Sequence, residues 1–269
     1  MAGTRHADDG FRRWARTVLA HRFGGVGARH DAGRAREVYQ SSTMGALLDG
    51  IYDGEVTIGE LLTHGDFGLG TFNELDGEMV ILDGVCHHLR ADGSVQVAAT
   101  TDRTPFAAVA HFTPDITIPV TAPATRAEAT AVIDTNLRSE NLIYGIRITG
   151  TFSSVRTRTV RKQTAPYPPL TEATAGQAET DFRDVTGTLA GFRMPAYEQG
   201  VSVAGYHLHF VDDARSHGGH ALAFRLVAGT MQICTFTDLH LSLPASGPFL
   251  DADLTSTNLS ERIHQTEGG

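Results

Sequence analysis

Three histidines lie close together in the stretch GYHLHFVDDARSHGGH, which runs from residue 205 to residue 220. His207 and His209 are two residues apart, so on a β-strand their side chains point to the same face. His220 follows a polar turn and would face that pair in an antiparallel hairpin. Three neutral imidazoles can hold a divalent metal ion, with zinc favoured, and leave positions open for a substrate, as catalytic sites do.

The spacing alone leaves several interpretations open. The chain has 13 histidines, so an H-x-H pair can arise by chance as polar strand residues. A cupin-like dioxygenase uses the same spacing and normally adds a metal-binding carboxylate soon afterwards, for which Asp213 is the only nearby candidate. A non-catalytic metal-binding module is a third alternative. His217 falls in the turn and off the spacing, so we predict that it binds no metal.

Two other motifs predict less. Cys86, His87 and His88 are adjacent, and neighbours on a strand point to opposite faces, so they cannot all bind one ion. The sequence GLGTFN at Gly68 lacks the third glycine and the strand-then-helix context of a dinucleotide-binding motif.

The basic residues exclude one chemistry and suggest another. Lys162 is the only lysine among 22 basic residues, and its polar setting does not favour the desolvated amine that Schiff-base chemistry needs. Arg156 and Arg158 lie two residues apart on one strand face, where they either are solvated or bind an anion.

Composition indicates a soluble globular protein with a small-molecule partner. The chain has 269 residues, 41% of them hydrophobic, and a formal net charge of -9. That charge argues against nucleic-acid binding, and no segment is long and apolar enough to suggest a membrane span. Cys86 and Cys234 lie in apolar runs and predict two buried thiols in a reducing compartment such as the cytoplasm.

The elements that would position these residues predict an α+β protein. Helical spacing after Ser42 or Thr43 and a capping pattern at Thr57 predict two short helices before a series of strands. The proline-rich segment 162–179 has the composition of a linker. Strands dominate after it, with HALAFRLVAG and TMQICTFTDLHLSLP predicted as separate strands. The N-terminal segment has a twin arginine, but no uninterrupted apolar stretch follows it, which argues against an export signal. We therefore predict a frayed or helical N-terminal extension over 1–35, a mixed α/β domain over 36–167, and a β-rich domain with the metal ligands over 168–269.

Several sequence blocks resemble a known family. The run TMGALLDGIYDGEVTIGELLTHGDFGLGTFNELDGEMV, from Thr43 to Val80, is followed by RADGS, TPFA, RITGTF, TRTV with a trailing KQ, GFRMP, VAGYHLHF and GGH. In this order the blocks resemble the α-acetolactate decarboxylase family from about residue 36 onward. Leu208 and Arg161 differ from many relatives, but neither is at a ligand position of the family.

The resemblance implies a metal-dependent enzyme that converts 2-acetolactate to acetoin and carbon dioxide and uses zinc, or another divalent metal, without an organic cofactor. It implies two mixed α/β domains with the metal near their junction, and it allows a homodimer. The family's functional positions fall on the metal ligands His207, His209 and His220 and on the catalytic residues Thr71, Glu78, Arg158 and Glu267.

The reaction suits these residue types. Loss of carbon dioxide from a 2-hydroxy-3-keto acid leaves electrons that the ketone must accept as an enediolate, and a Lewis acid on the ketone and hydroxyl oxygens stabilises it. Arg158 would hold the carboxylate or a developing oxyanion. Glu78 and Glu267 are both candidates to deliver the proton, and the sequence does not distinguish them.

Overall fold

The computed structural model describes residues 36–245, 247–255 and 258–267. The N-terminal extension predicted over 1–35 lies outside the described residues. Within them, two large β-sheets carry most of the chain, and short helices border the sheets. This sheet-rich arrangement with helices at its edges confirms the α+β prediction at the level of fold class.

The strands are short in the first half of the chain and long in the second. In chain order they are β1 (Glu37–Ser41), β2 (Val56–Thr57), β3 (Phe67–Thr71), β4 (Glu78–Leu82), β5 (Val85–Leu89), β6 (Val95–Val97), β7 (Arg103–Thr104), β8 (Ala107–Ala110), β9 (Ile116–Val120), β10 (Ala124–Thr125), β11 (Ile143–Thr159), β12 (Ala178–Met194), β13 (Gly205–Asp212), β14 (Gly218–Phe236) and β15 (Asp238–Ser242). The α-helices are α1 (Met44–Leu48), α2 (Ile58–Leu61), α3 (Arg126–Asp134), α4 (Leu170–Ala173) and α5 (Leu259–Glu267). Short 3-10 turns cover Asn73–Leu75, Thr174–Gly176, Ala196–Glu198 and Gly247–Asp251.

The helix starts follow the sequence signals. The Thr43 hydroxyl accepts from the backbone N–H of Ala46 and caps α1, and Thr57 caps α2 in the same way through Glu60. Each cap satisfies a backbone donor that the first helical turn leaves without a partner. The α1 helix ends at Leu48, before the apolar Ile51 that the helical spacing had included.

The first sheet has seven strands in the order β15-β1-β8-β3-β4-β5-β6. All its pairings are antiparallel except that of β1 with β15. A tight turn at Asp83 and Gly84, both with positive φ, joins β4 to β5, as the D-G pair favours. Glu78 therefore begins an interior strand of this sheet.

The second sheet has six strands and curls until two of its members meet. The order is β10-β14-β11-β12-β13, with β9 also on β14, and β13 pairs back onto β14. This closure sets the register in which His209 lies directly opposite His220. The antiparallel hairpin predicted for the histidine stretch is confirmed.

One strand prediction was wrong in its extent. The sequence predicted a break at VAGT, but β14 continues through Gly229 to Phe236. A Cβ atom at Gly229 would lie 2.2 Å from the Thr149 carbonyl oxygen. The glycine is therefore explained by the close approach of β11 and not by a turn.

Apolar side chains from the two sheets form a shared core. Phe67, Leu69 and Val80 of the first sheet belong to the same buried cluster as Phe192 and Val211 of the second. A separate cluster lies beneath α1, α4 and α5. The two-layer packing buries the apolar faces that neither sheet could bury alone.

The segment predicted to be a linker is part of the packed structure. It contains α4, whose Leu170 is 3% exposed, and the Tyr52 hydroxyl donates to the Pro168 carbonyl at 2.9 Å. The linker prediction was wrong because buried contacts, which proline content does not report, hold the segment. The domain division near residue 168 stays a prediction; the second sheet takes strands from both sides of that residue.

In the part of the chain that the structure describes, no helix has the length and apolar character needed to cross a membrane.

Candidate metal centre and active site

The three predicted histidine ligands form a compact group. One ring nitrogen from each of His207, His209 and His220 lies within 4.8 Å of the other two. The Nε2 atoms of His207 and His209 are 3.2 Å apart, because positions i and i+2 of β13 share a face. The pairing of β13 with β14 supplies the third ring.

The surroundings of the histidines favour metal binding. Nδ1 of His209 lies 2.7 Å from the Met79 carbonyl oxygen, so Nδ1 donates there and Nε2 is left as an acceptor toward the group. Burial, and after it the charge of Arg158, lowers the pKa of His207 to about 3. Burial, and after it His207, lowers the pKa of His209 to about 3, and burial holds the pKa of His220 well below its usual value. All three rings are therefore neutral at ordinary pH and offer lone pairs, so the donor set fits a divalent cation.

Two carboxylates, one from β4 and one from α5, lie beside the histidines. The Glu78 Oε2 atom, on β4, is 3.6 Å from His209 Nε2. The Glu267 Oε2 atom, on α5, is 3.5 Å from His207 Nε2 and 3.5 Å from His220 Nδ1. The backbone carbonyl of Glu267 also lies 3.1 Å from His220 Nε2.

Glu78 is in the more apolar setting. Glu78 is 8% exposed. Burial raises the pKa of its carboxyl from the ordinary 4.5 to about 8, and the charge of Arg158 and the Val160 N–H offset this increase only in part. A carboxyl group in this condition carries a proton at neutral pH and can act as an acid.

Arg158 supplies a buried positive charge. It is 4% exposed and lies on β11 directly opposite His220. Its Nη2 donates to Glu267 Oε2 at 3.2 Å, and its Nη1 donates to Gln177 Oε1 at 3.0 Å. The neighbouring Arg156 faces solvent and lies near Glu179 and Asp181 on β12, so it is the solvated member of the pair.

Thr71 contacts the start of β4 and holds it in place. It pairs directly with Glu78 across β3 and β4, and its hydroxyl donates to the Gly77 carbonyl at 2.6 Å. Because this bond uses the hydroxyl proton, only lone pairs remain for other partners. Thr71 therefore fixes the backbone immediately before Glu78.

A small cavity lies among these groups. Thr71, Glu78, Arg158, His207 and Glu267 line its polar side. The remaining wall is mostly apolar and consists of Met44, Leu47, Gly70, Leu75, Phe106, Val160, Leu170 and Thr174. A small anionic molecule in this cavity would contact the guanidinium of Arg158 and the carboxyls of Glu78 and Glu267, with little water around these groups.

Two features of this site were not predicted from the sequence. Leu170 and Thr174 line it from the segment interpreted as a linker, and Gln177 holds Arg158. No local sequence pattern indicates this segment, because α4 is only four residues long and the residue before it, Pro169, makes no side-chain capping hydrogen bond.

The weaker candidates lie elsewhere. His217 is in the turn, with Nδ1 3.2 Å from Asp212 Oδ2, and Asp213 is exposed and outside the histidine group. Asp213, the candidate for the metal-binding carboxylate of a cupin-like site, is therefore not at the histidines. Lys162 is exposed and pairs with Glu74, which raises its pKa.

The adjacent Cys86, His87 and His88 form no metal group within the described residues. Cys86 and Cys234 are buried, unpaired thiols, as predicted.

Fold and site together define an enzyme whose buried three-histidine group can hold a metal ion beside an arginine and two carboxyls. The model of the alpha-acetolactate decarboxylase family matches residues 38–256. The alpha-acetolactate decarboxylase of Methylococcus capsulatus is 46% identical over 231 residues, which cover 86% of this chain and 88% of that protein. The crystal structure of the Bacillus subtilis strain 168 alpha-acetolactate decarboxylase superposes with a TM-score of 0.85 at 43% identity and covers 87% of this chain and 100% of that one.

The chain belongs to the alpha-acetolactate decarboxylase family. It is a decarboxylase that converts acetolactate to acetoin. The cupin-like dioxygenase and the non-catalytic binding module are thereby set aside.

Proposed function

We propose that the chain decarboxylates 2-acetolactate with zinc held by His207, His209 and His220, with Arg158 as the carboxylate-binding group and Glu78 as the proton donor. The observation that carries this proposal is that His207, Arg158 and Glu78 line one cavity with a mostly apolar wall, while His209 and His220 are grouped with His207. A zinc ion held there would supply a Lewis acid for the electrons released when carbon dioxide leaves.

Arg158 suits the substrate carboxylate because its charge is permanent and buried. The guanidinium presents planar donors that match a carboxylate. Its one charged hydrogen-bond partner in the described residues is Glu267. The carboxylate of the substrate would therefore compete with Glu267 for the same guanidinium, and the apolar wall around Phe106 and Leu170 would keep water from screening that contact.

Glu78 suits proton delivery better than Glu267 does. A donor must hold a proton at neutral pH, and burial raises the pKa of Glu78 to about 8. Glu267 accepts from Arg158 at 3.2 Å, an arrangement in which the carboxylate balances the arginine charge. We therefore assign Glu78 as the acid and Glu267 as the group that holds Arg158 toward the histidines.

Thr71 has a supporting role in this scheme. Its bond to the Gly77 carbonyl fixes the backbone on which the Glu78 carboxyl stands. The two buried thiols suit a reducing compartment, and we propose that the enzyme acts in the cytoplasm as a homodimer on this small-molecule substrate.

The test is an anaerobic assay with racemic 2-acetolactate that measures acetoin and carbon dioxide together. Protein treated with a chelator should lose activity and regain it with zinc but not with magnesium, which prefers oxygen ligands. Equal activity before and after metal removal would contradict the metal assignment. An Arg158→Lys variant with full activity would remove the arginine from the proposal, because lysine lacks the planar pair of donors.

A further inference from the structure

Arg158 has one partner that does not contact the histidines, and that partner is an uncharged amide. Its Nη1 donates to Gln177 Oε1 at 3.0 Å. Its Nε is buried and has no hydrogen-bond partner among the described residues. Since the whole side chain is 4% exposed, water does little to screen its charge, and the chemical nature of each partner matters.

The two partners of the guanidinium differ in what else they touch. Glu267 Oε2 lies 3.5 Å from His207 Nε2 and 3.5 Å from His220 Nδ1, so its position depends on what the histidines hold. The Gln177 side chain, in contrast, accepts its hydrogen bond from Arg158. Gln177 can therefore keep the guanidinium oriented while Glu267 exchanges partners.

The backbone around Gln177 is fixed on both sides. Its N–H donates to the Thr174 carbonyl at 3.2 Å, and the next residue, Ala178, begins β12 and pairs with Thr159 on β11. Arg161 Nε donates to the Gly176 carbonyl at 2.9 Å. These bonds attach the segment before β12 to the strand that carries Arg158, so the amide has a defined position relative to the guanidinium.

An amide in this place has an electrostatic consequence. Glu267 already balances the charge of Arg158. A carboxylate at position 177 would accept the same hydrogen bond but would leave excess negative charge where an anionic substrate must bind. An amide oxygen orients the guanidinium without that charge.

We propose that Gln177 is a positioning residue that orients Arg158 for the substrate carboxylate and, as a neutral acceptor, leaves its positive charge available. Gln177 does not line the cavity, so it acts through Arg158. The inference rests on the proposed function, in which Arg158 binds that carboxylate.

Gln177→Glu is the decisive variant because it keeps size and acceptor and changes only charge. We expect the KM for 2-acetolactate to rise at least roughly tenfold, since a like charge then faces the substrate. Zinc content and Tm should stay unchanged. Inhibition by acetoin, the neutral product, should be unchanged as well, because acetoin has no carboxylate to repel.

Gln96→Glu is the matched control. With its oxygen toward Arg90, the Gln96 amide accepts from Nη2 at 2.8 Å and from Nε at 3.1 Å, and it lies exposed on the edge strand β6. Gln96 and Arg90 thus form a second glutamine–arginine pair, outside the cavity, and replacing Gln96 should leave KM and kcat unchanged.

Gln177→Leu tests orientation separately, because it removes the acceptor without adding charge. We expect kcat/KM to fall by roughly tenfold as the guanidinium loses its anchor. An unchanged kcat/KM in either Gln177 variant overturns the inference, and so does an equal weakening of acetoin inhibition in Gln177→Glu.

Arg158→Gln separates this inference from the one beneath it. If Arg158→Gln is impaired and both Gln177 variants are normal, Gln177 has no positioning role while the function of Arg158 stands. If Arg158→Gln has full activity, the role of the arginine fails and that of Gln177 fails with it.

Discussion

The metal-ligand strands and the C-terminal helix hold their functional side chains in different ways. His209 and His220 lie on directly paired strands, and the His209 ring is also bonded to the Met79 carbonyl of the other sheet. Glu267 stands at the end of α5, a nine-residue helix, which packs through Ile263 and is bonded through Arg262. The strands should therefore supply the three metal ligands without the helix, whereas the helix adds the Glu267 carboxylate and an outer partner for His220.

Removing a strand-borne ligand should have the largest effect. We expect His209→Ala to lower zinc affinity by more than the roughly 10–100-fold that follows loss of an outer partner, and to lower kcat/KM by at least about 1,000-fold, because the Lewis acid is lost. Metal analysis after dialysis and the acetoin assay measure the two effects.

His217→Ala is the matched control, since His217 lies in the turn of the same hairpin and pairs with Asp212. It should keep zinc and activity. Loss of zinc from both variants to the same degree would mean that general destabilisation, and not ligand loss, explains the result.

Removing the acid on β4 should come next. Glu78→Gln should lower kcat by roughly 100-fold or more while zinc stays bound, because the amide cannot deliver a proton. In the metal-free protein, burial raises the pKa of Glu78 to about 8, so the carboxyl keeps its proton below that pH.

The same pKa makes a separate prediction for stability. Because the folded state binds this proton more tightly than the unfolded state, the stabilising contribution is present below the ordinary value of 4.5 and is lost as pH rises through about 8. Metal-free Glu78→Gln should therefore exceed the metal-free wild type in Tm at pH 9 but not at pH 5. A larger advantage at pH 5 would contradict the burial of a protonated carboxyl.

The histidine hairpin was the part of the site that sequence patterns alone predicted. His207 and His209 share a face because strand side chains alternate, and the polar turn before His220 indicated the hairpin. These are local patterns, and the structure has the hairpin as expected. Thr71, Glu78, Arg158 and Glu267 were predicted from the family resemblance instead, because Arg158 and Glu267 lie far from Thr71 and Glu78 in sequence and only the fold brings them together.

The remaining wall could not be predicted because it depends on contacts distant in sequence. The α4 helix lies in a proline-rich stretch and is held by the packing of Leu170 and Ala173 with the residues of α1 and α5. The bond from His209 to the Met79 carbonyl joins the two sheets, and no side-chain pattern reports a backbone acceptor. Gln177 was missed for the same reason, since its partner Arg158 is distant in sequence and lies on β11, which pairs with the strand that begins just after Gln177.

Neutralising the carboxylate of the helix should have a smaller effect than losing a ligand. We expect Glu267→Gln to lower kcat by roughly 100-fold, comparable to the loss of one preorganised polar group, with zinc content unchanged. Deleting the last four residues should also lower kcat, and it should weaken zinc binding by roughly 10–100-fold because it removes the Glu267 carbonyl beside His220 Nε2.

Glu261→Gln is the control on the same helix, where the side chain is exposed. It should have wild-type kcat. Full activity in Glu267→Gln would remove this carboxylate from the mechanism, and loss of zinc from it would show that the carboxylate itself contributes to metal binding.

Loosening the helix without touching the cavity should give the smallest effect. Arg262 Nη2 donates to the Leu48 carbonyl at 2.8 Å and to Asp49 Oδ1 at 2.7 Å, which ties α5 to the end of α1. Arg262→Ala should weaken this docking by about 1 kcal/mol, the usual worth of such a bond, and so raise amide hydrogen exchange in α5 by roughly fivefold. Zinc content should not change, and kcat should fall only a few-fold, because Glu267 still reaches the site in most molecules. The exposed Arg103→Ala is the control; equal exchange in the two variants would mean that the Arg262 contacts do not hold the helix in place.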